Sequence, residues 1–223
     1  MKLRHELKHE ISYSDMLVLR QRLKAVAKPD EHSVDGKYFI RSLYFDNIYD
    51  KALLEKINGI NMREKFRIRF YNGDLSYIRL ENKSKLSGLG NKKSAMLSVN
   101  EAKALSSGDY SIIKNSENPL KIEFYSKIMS DGLKPKTIVD YTREAFTYPA
   151  GNVRVTLDYD IRTSAECADF LNPDCITIPA GNSPIILEVK WDEFLPAVIA
   201  DIVQLNNRRS GAFSKYAACR IYG

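Results

Sequence analysis

Charged and apolar residues alternate between Met62 and Phe70. Arg63, Lys65, Arg67 and Arg69 fall on one parity, and Met62, Phe66, Ile68 and Phe70 on the other, with Glu64 the exception. Successive strand residues face opposite sides, so the segment predicts a strand with one cationic and one apolar face. The same period runs through Arg4-Glu6-Lys8, Arg79-Glu81-Lys83-Lys85 and Glu188-Lys190. It returns in Arg154-Thr156-Asp158, set against Val153, Val155 and Leu157. An ordinary sheet packs grease inward and leaves mixed charge in water. Several strands with like charge on one face predict a closed antiparallel β-barrel whose interior takes a polyanion.

The remaining pattern supplies the other elements. A strand is predicted over 3–11, then a helix capped by Ser14 or Asp15 that carries Met16, Leu19 and Leu23 and stops at Pro29. Lys37–Asp46 reads as a strand, and Asn47 as the cap of a short helix through Ile57 that ends near Gly59. Asn72-Gly73-Asp74 between two alternating runs is a hairpin signal. Leu86–Lys93 reads as a glycine-rich basic loop. Helices are expected from Ser98 or Asn100 and over 119–131, and strands over 135–148, 152–162 and 183–191. Residues 166–179 read as irregular. A helix is predicted over 196–205 and a last helix or strand over 214–222. The sum is an α+β fold of about eight strands with helices outside, and no linker divides residues 1–223, which read as one domain.

Composition narrows the partners. Lys and Arg number 34 against 28 Asp and Glu, a net charge of +6 that favours anions without choosing among them. Cys167, Cys175 and Cys219 have no metal spacing and suit reduced thiols in a cytoplasmic protein. The start MKLRHELKHE has no apolar core, so neither a secretory leader nor direct membrane insertion is expected.

Like charges crowded on one face must be wet, internally paired or met by an anion. Carboxylates are sparse among these cations, at Glu6, Glu81, Asp158 and Glu188. That mixture suits a metal–polyphosphate complex, with Arg and Lys on phosphate oxygens and a carboxylate on a divalent cation. The loop with Lys92 and Lys93 lacks the G-x-x-x-x-G-K-[ST] pattern of a phosphate-binding P-loop. His5, His9 and His32 show no metal-ligand spacing. Arg41 fits the cationic face, although the parity of its strand is ambiguous.

Ordered blocks along nearly the whole chain resemble the VTC domain, the polyphosphate polymerase domain of the vacuolar transporter chaperone complex. That domain is a CYTH-like triphosphate tunnel metalloenzyme. The blocks are RHELKHEI, SLYFDN, REKFRIRFYNG, LENKSK, YTREAF, VRVTLDYDIR, ILEVKW and FSKY. The resemblance implies a tunnel in which the γ-phosphoryl group of ATP passes to a growing polyphosphate chain, with Mn²⁺ or Mg²⁺ as cofactor. It implies phosphate ligands at Lys8, Arg63, Lys65, Arg67, Arg69, Lys83, Arg143, Arg154, Lys190 and Lys215. The metal ligands would be Glu188 and Glu6, and Lys215, Arg67, Arg69 and Glu188 would carry the reaction. Lys215 is implied by the family alone.

The regulatory SPX domain of the eukaryotic relatives is absent from this sequence, which resembles the stand-alone microbial form. The tunnel hydrolases open with Glu-x-Glu-x-Lys, and here Arg4 replaces the first glutamate, which should make the site more basic. The expected partners are ATP, triphosphate and polyphosphate rather than nucleic acid, since no aromatic ladder interleaves the cations. A triphosphatase of the same fold and a non-catalytic polyphosphate-binding domain are the alternatives. Truncating Arg67 is expected to relieve repulsion and raise stability.

Overall fold

Alternation becomes strand nearly everywhere it was expected. The computed structural model describes residues 4–86, 89–205, 211 and 213–222. Among them run β1 (His5–Ile11), α1 (Tyr13–Val26), β2 (Lys28–Pro29), β3 (Lys37–Asp46), α2 (Lys51–Ile57), β4 (Arg63–Tyr71), β5 (Asp74–Leu86) and β6 (Leu89–Leu97). There follow α3 (Val99–Ser106), α4 (Pro119–Asp131), β7 (Lys134–Tyr148), β8 (Val153–Ser164), β9 (Ile178–Pro179), β10 (Ile185–Trp191), α5 (Ala197–Val203) and α6 (Lys215–Tyr222).

The strands form one ten-stranded sheet in the order β1-β10-β8-β7-β3-β4-β5-β6, with β2 on β7 and β9 on β8. This corrects the expected closed barrel of about eight strands. The path ends on β1 and β6, and no ladder joins those two among the described residues. The outer edge of β1 is met instead by the chain near the C-terminus, where Gly211 N donates to the Lys8 carbonyl at 2.9 Å.

The chain clusters into two compact units. The first holds Met1–Phe39, Tyr141–Ile161 and Gly181–Phe213, and the second Ile40–Asp140, Arg162–Ala180 and Ser214–Gly223. In the first, α1 lays Met16, Leu19 and Leu23 on Val155, Leu157, Leu187 and Val189, with Ile199 and Ile202 of α5. Leu19 and Leu23 are fully buried, and each such side chain contributes about 1.5–3 kcal/mol. In the second unit, Leu43, Phe66, Ile68 and Leu80 meet Ala102, Leu105, Phe124 and Ile128 of α3 and α4. Phe124 sits edge-on to Phe45 and stacked on Phe66. In both units the apolar parity faces helices, which commits the charged parity to the other side of the sheet.

Caps and turns refine the boundaries. Ser12, not Ser14 or Asp15, caps α1 in a reciprocal box with Asp15, because the chain is still extended at Ser12. Asn47 accepts from Tyr49 N and Lys51 N, but Asp46 takes the free amides of Ala52 and Leu53 at the start of α2. The tight turn at Asn72 and Gly73 has φ of 51° and 73°, which a two-residue hairpin turn of this hand requires. At Gly151 (φ +70°) a Cβ would lie 2.3 Å from the Phe194 carbonyl, so only glycine fits there.

The glycine-rich loop is the main misreading. Leu89–Leu97 is strand β6, paired with β5 from Ile78↔Leu97 to Leu86↔Leu89, and Ser87 and Gly88 of that expected loop lie outside the described residues. Two glycines masked a period that pairing with a strong neighbour imposes. Residues 166–179 contain a 3₁₀ turn, Cys167–Leu171, and the short β9.

Candidate functional site

The basic face of the second unit is built by register. Cross-strand rows place Arg63 opposite Lys85, Lys65 opposite Lys83, Lys83 in turn opposite Lys92, Arg67 opposite Glu81, and Arg69 opposite Arg79. On β4–β6 that face carries Arg63, Lys65, Arg67, Arg69, Arg79, Lys83, Lys85 and Lys92, with Glu81 as its carboxylate. Arg67 binds Glu81 through Nη2 at 2.6 Å and Nε at 2.7 Å, and Lys92 Nζ lies 2.5 Å from the other carboxylate oxygen. Burial pushes the Glu81 carboxyl up, but Arg67, Arg69 and Lys92 overcome it and hold it far below the usual carboxylate range.

Tyr44 lies inside this array. Its hydroxyl accepts from Arg67 Nη1 at 2.9 Å, and Lys65 Nζ stands 5.4 Å from the ring centre. Burial favours the neutral phenol, yet Arg67, Lys65 and Arg69 outweigh it and draw Tyr44 down to about 7. Arg69 donates to Ser42 Oγ at 2.8 Å and lies over Tyr71. Lys215 opens α6, which is pinned by its neighbours. The Tyr216 ring stacks on Tyr44 at 5.0 Å, its hydroxyl donates to Asp46 at 2.7 Å, and Arg220 Nη2 donates to Asp50 at 2.9 Å.

The first unit has its own basic face, on β1, β10 and β8. Registers Lys8↔Glu188, Glu6↔Lys190, Glu188↔Thr156 and Lys190↔Arg154 put these six side chains on one side. Two lysines and two glutamates form a four-membered ring. Lys8 Nζ is 3.3 Å from Glu6 and 3.4 Å from Glu188, and Lys190 Nζ is 3.4 Å from Glu6 and 2.5 Å from Glu188. Burial pulls the Lys8 ammonium down, but Glu188 and then Glu6 reverse this, and its pKa ends raised. Arg143 forks onto Asp158 at 2.6 and 2.7 Å. Burial opposes its charge and Asp158 more than restores it. Arg154 Nη2 pairs with Asp30 at 3.0 Å.

Each unit therefore gathers its own share of the expected residues. Glu6, Lys8, Arg143, Arg154, Glu188 and Lys190 belong to the first, and Arg63, Lys65, Arg67, Arg69, Lys83 and Lys215 to the second. Three expectations change. Arg41 is sealed in a buried pair with Asp140 at 2.8 Å and also donates to the Asn172 carbonyl, so it braces the core. Arg4 is matched by Asp192 at 2.9 Å, which cancels the extra charge expected of it. Arg67 holds a carboxylate that is 1% exposed, so truncating it strands a buried charge and destabilises, the reverse of relieved repulsion. Lys92 and Tyr44 escaped the sequence reading. The parity Gly90-Lys92-Ser94 would have shown Lys92, had the run been read as a strand.

Among the described residues no group of three or more His, Cys, Asp or Glu gathers as a metal cage. Glu6 and Glu188 are nonetheless hard oxygen donors on one face, both bridged by Lys8 and Lys190. Mg²⁺-type cations take one or two carboxylates and draw further oxygens from phosphates, and this donor set fits that pattern.

The elements and their register define a class: an α+β protein whose sheet packs one face on helices and crowds cations on the other. The VTC domain family matches residues 3–221, and the chain belongs to it. This bears out the resemblance read from the sequence. No curated protein sequence matches. Among solved structures, a candidate adenylate cyclase from Bacillus halodurans aligns with TM-score 0.53 at 16% identity, over 85% of this chain and 80% of its own. The PH1012 protein from Pyrococcus horikoshii OT3 aligns with TM-score 0.50 at 11% identity, over 96% and 97%. A conserved hypothetical protein from Pyrococcus furiosus gives 0.50 at 12% identity, over 97% and 99%. At these identities the likeness is one of fold. No helix among the described residues is long and apolar enough to cross a membrane.

Proposed function

We propose that this chain is a metal-dependent polyphosphate polymerase that transfers the γ-phosphoryl group of ATP to a growing polyphosphate chain. The observation that carries the reading is the β4–β6 face, where the register of the described residues sets eight Lys and Arg on the same side as Glu81. Like charges directly opposite on a sheet destabilise it, and an anion with many charges reverses that. Lys8, Arg63, Lys65, Arg67, Arg69, Lys83, Arg143, Arg154, Lys190 and Lys215 are the proposed phosphate ligands. Arginines grip phosphate oxygens in pairs and lysines serve as point charges. Phosphoryl transfer needs little beyond such positioning and neutralisation.

Glu188, with Glu6, is the proposed holder of Mn²⁺ or Mg²⁺. When bound, the cation supplies charge neutralisation at the phosphate oxygens. Lys8 and Lys190 each bridge the two carboxylates and hold them in place.

Purified protein is incubated with ATP and Mn²⁺, and the products are run on a gel stained for polyphosphate while free phosphate is assayed. A polyphosphate ladder that disappears in Glu188→Gln is the expected result. Free phosphate without a ladder would make water the acceptor and the chain a triphosphatase. Neither product would leave a binding domain.

A further inference from the structure

Thr156 is the least explained polar group of the first unit. It is 3% exposed, and its hydroxyl oxygen meets no hydrogen-bond partner among the described residues. The register sets it opposite Glu188, which in turn lies opposite Lys8, while Arg154 and Asp158 flank it on its own strand. Val155 and Leu157 on the other parity pack in the apolar core, so Thr156 faces the charged side. The neighbouring groups are engaged with one another. Arg154 Nη2 meets Asp30, Arg143 takes Asp158, and Lys8 and Lys190 bridge Glu188.

A buried hydroxyl without a partner is destabilising, and valine would fill the same space at no such cost. A threonine kept there points to a partner that arrives from outside. A hydroxyl among cations is a neutral donor, able to bind an anion drawn by their charge without adding to their repulsion.

We propose that the Thr156 hydroxyl donates a hydrogen bond to a phosphoryl oxygen of the bound ligand and fixes the register of the phosphate chain against β8 and β10. This rests on the phosphate-binding reading above.

Inorganic tripolyphosphate is titrated calorimetrically, in EDTA, into the full chain and into Thr156→Val and Thr156→Ser, and each protein is melted without ligand. Thr156→Val should bind about tenfold more weakly, equal to about 1.4 kcal/mol, while melting higher than the parent. Thr156→Ser, which keeps the hydroxyl, should restore affinity to within about threefold, or about 0.7 kcal/mol. Unchanged affinity in Thr156→Val would overturn the inference and leave the phosphate reading standing. A lower melting temperature in Thr156→Val that Thr156→Ser restores would make the hydroxyl structural and overturn it too. A loss seen only after Mn²⁺ is added would move the hydroxyl to the cation, against the proposal. If the parent protein failed to bind tripolyphosphate with or without Mn²⁺, the phosphate reading itself would fall, and this inference with it.

Discussion

Tyr44 shows how one side chain reports the state of a charged face. Its hydroxyl accepts from Arg67, Lys65 and Arg69 lie nearby, the Tyr216 ring covers one side, and Glu81 answers Arg67 from β5. These cations lower its pKa from the ordinary 10.0 to about 7 against the effect of burial. Because the folded value lies below the unfolded one, the contribution to stability is absent under pH 7, grows through the interval between about 7 and 10, and is complete above it. Ultraviolet difference titration should therefore show one tyrosine ionising near neutrality, lost in Tyr44→Phe. Saturating tripolyphosphate should move that titration upward, since phosphate neutralises the cations that depress it. A titration near 10 in the free protein would mean that the cations lie too far away or too wet to act on the phenol.

At the scale of elements, the chain announced most of what it builds. Lys37–Asp46 and Pro119–Asp131 fall where the pattern put them, because β-branched and aromatic runs, Pro at the first helical turn and Gly132 after the last are strong local signals. The misses are tertiary. β6 depends on its ladder with β5, since Gly88 and Gly90 weaken the strand pattern. Arg41 carries the right residue type on β3, but its partner Asp140 lies on the neighbouring β7, and only the fold brings them together. Asp46 looks like a strand terminus in the sequence, yet it joins two helices, accepting amides of α2 and the hydroxyl of Tyr216 in α6. Asp46→Ala removes a cap and a buried partner at once, so a loss of about 2–4 kcal/mol is expected from the sum of those effects. Hydrogen exchange should rise in both Lys51–Ile57 and Lys215–Tyr222. Exchange that rises in α2 alone would show that Asp46 caps that helix without holding α6, and would free Lys215 from its influence.

Taken over the whole molecule, the net charge of +6 is modest, while the local crowding on β4–β6 is severe. That contrast separates a localised charged site from a generic basic surface. A surface spread of cations binds duplex nucleic acid through released counterions, with affinity falling steeply with salt. Paired faces such as Lys8, Lys190 and Glu188, or Arg67, Lys92 and Glu81, hold carboxylates against which a phosphodiester backbone gains less. A compact polyphosphate concentrates more charge on the same cations. A ligand that binds only the folded chain stabilises it by RT ln(1 + [L]/Kd), about 2.7 kcal/mol at a hundredfold excess over Kd. Tripolyphosphate should therefore raise the melting temperature by several degrees at an ionic strength where sodium chloride and duplex DNA shift it little, and Mn²⁺ should add to the rise. An equal shift with duplex DNA, eroded by salt in parallel with the tripolyphosphate shift, would make the charge a surface property and favour a binding domain over the polymerase.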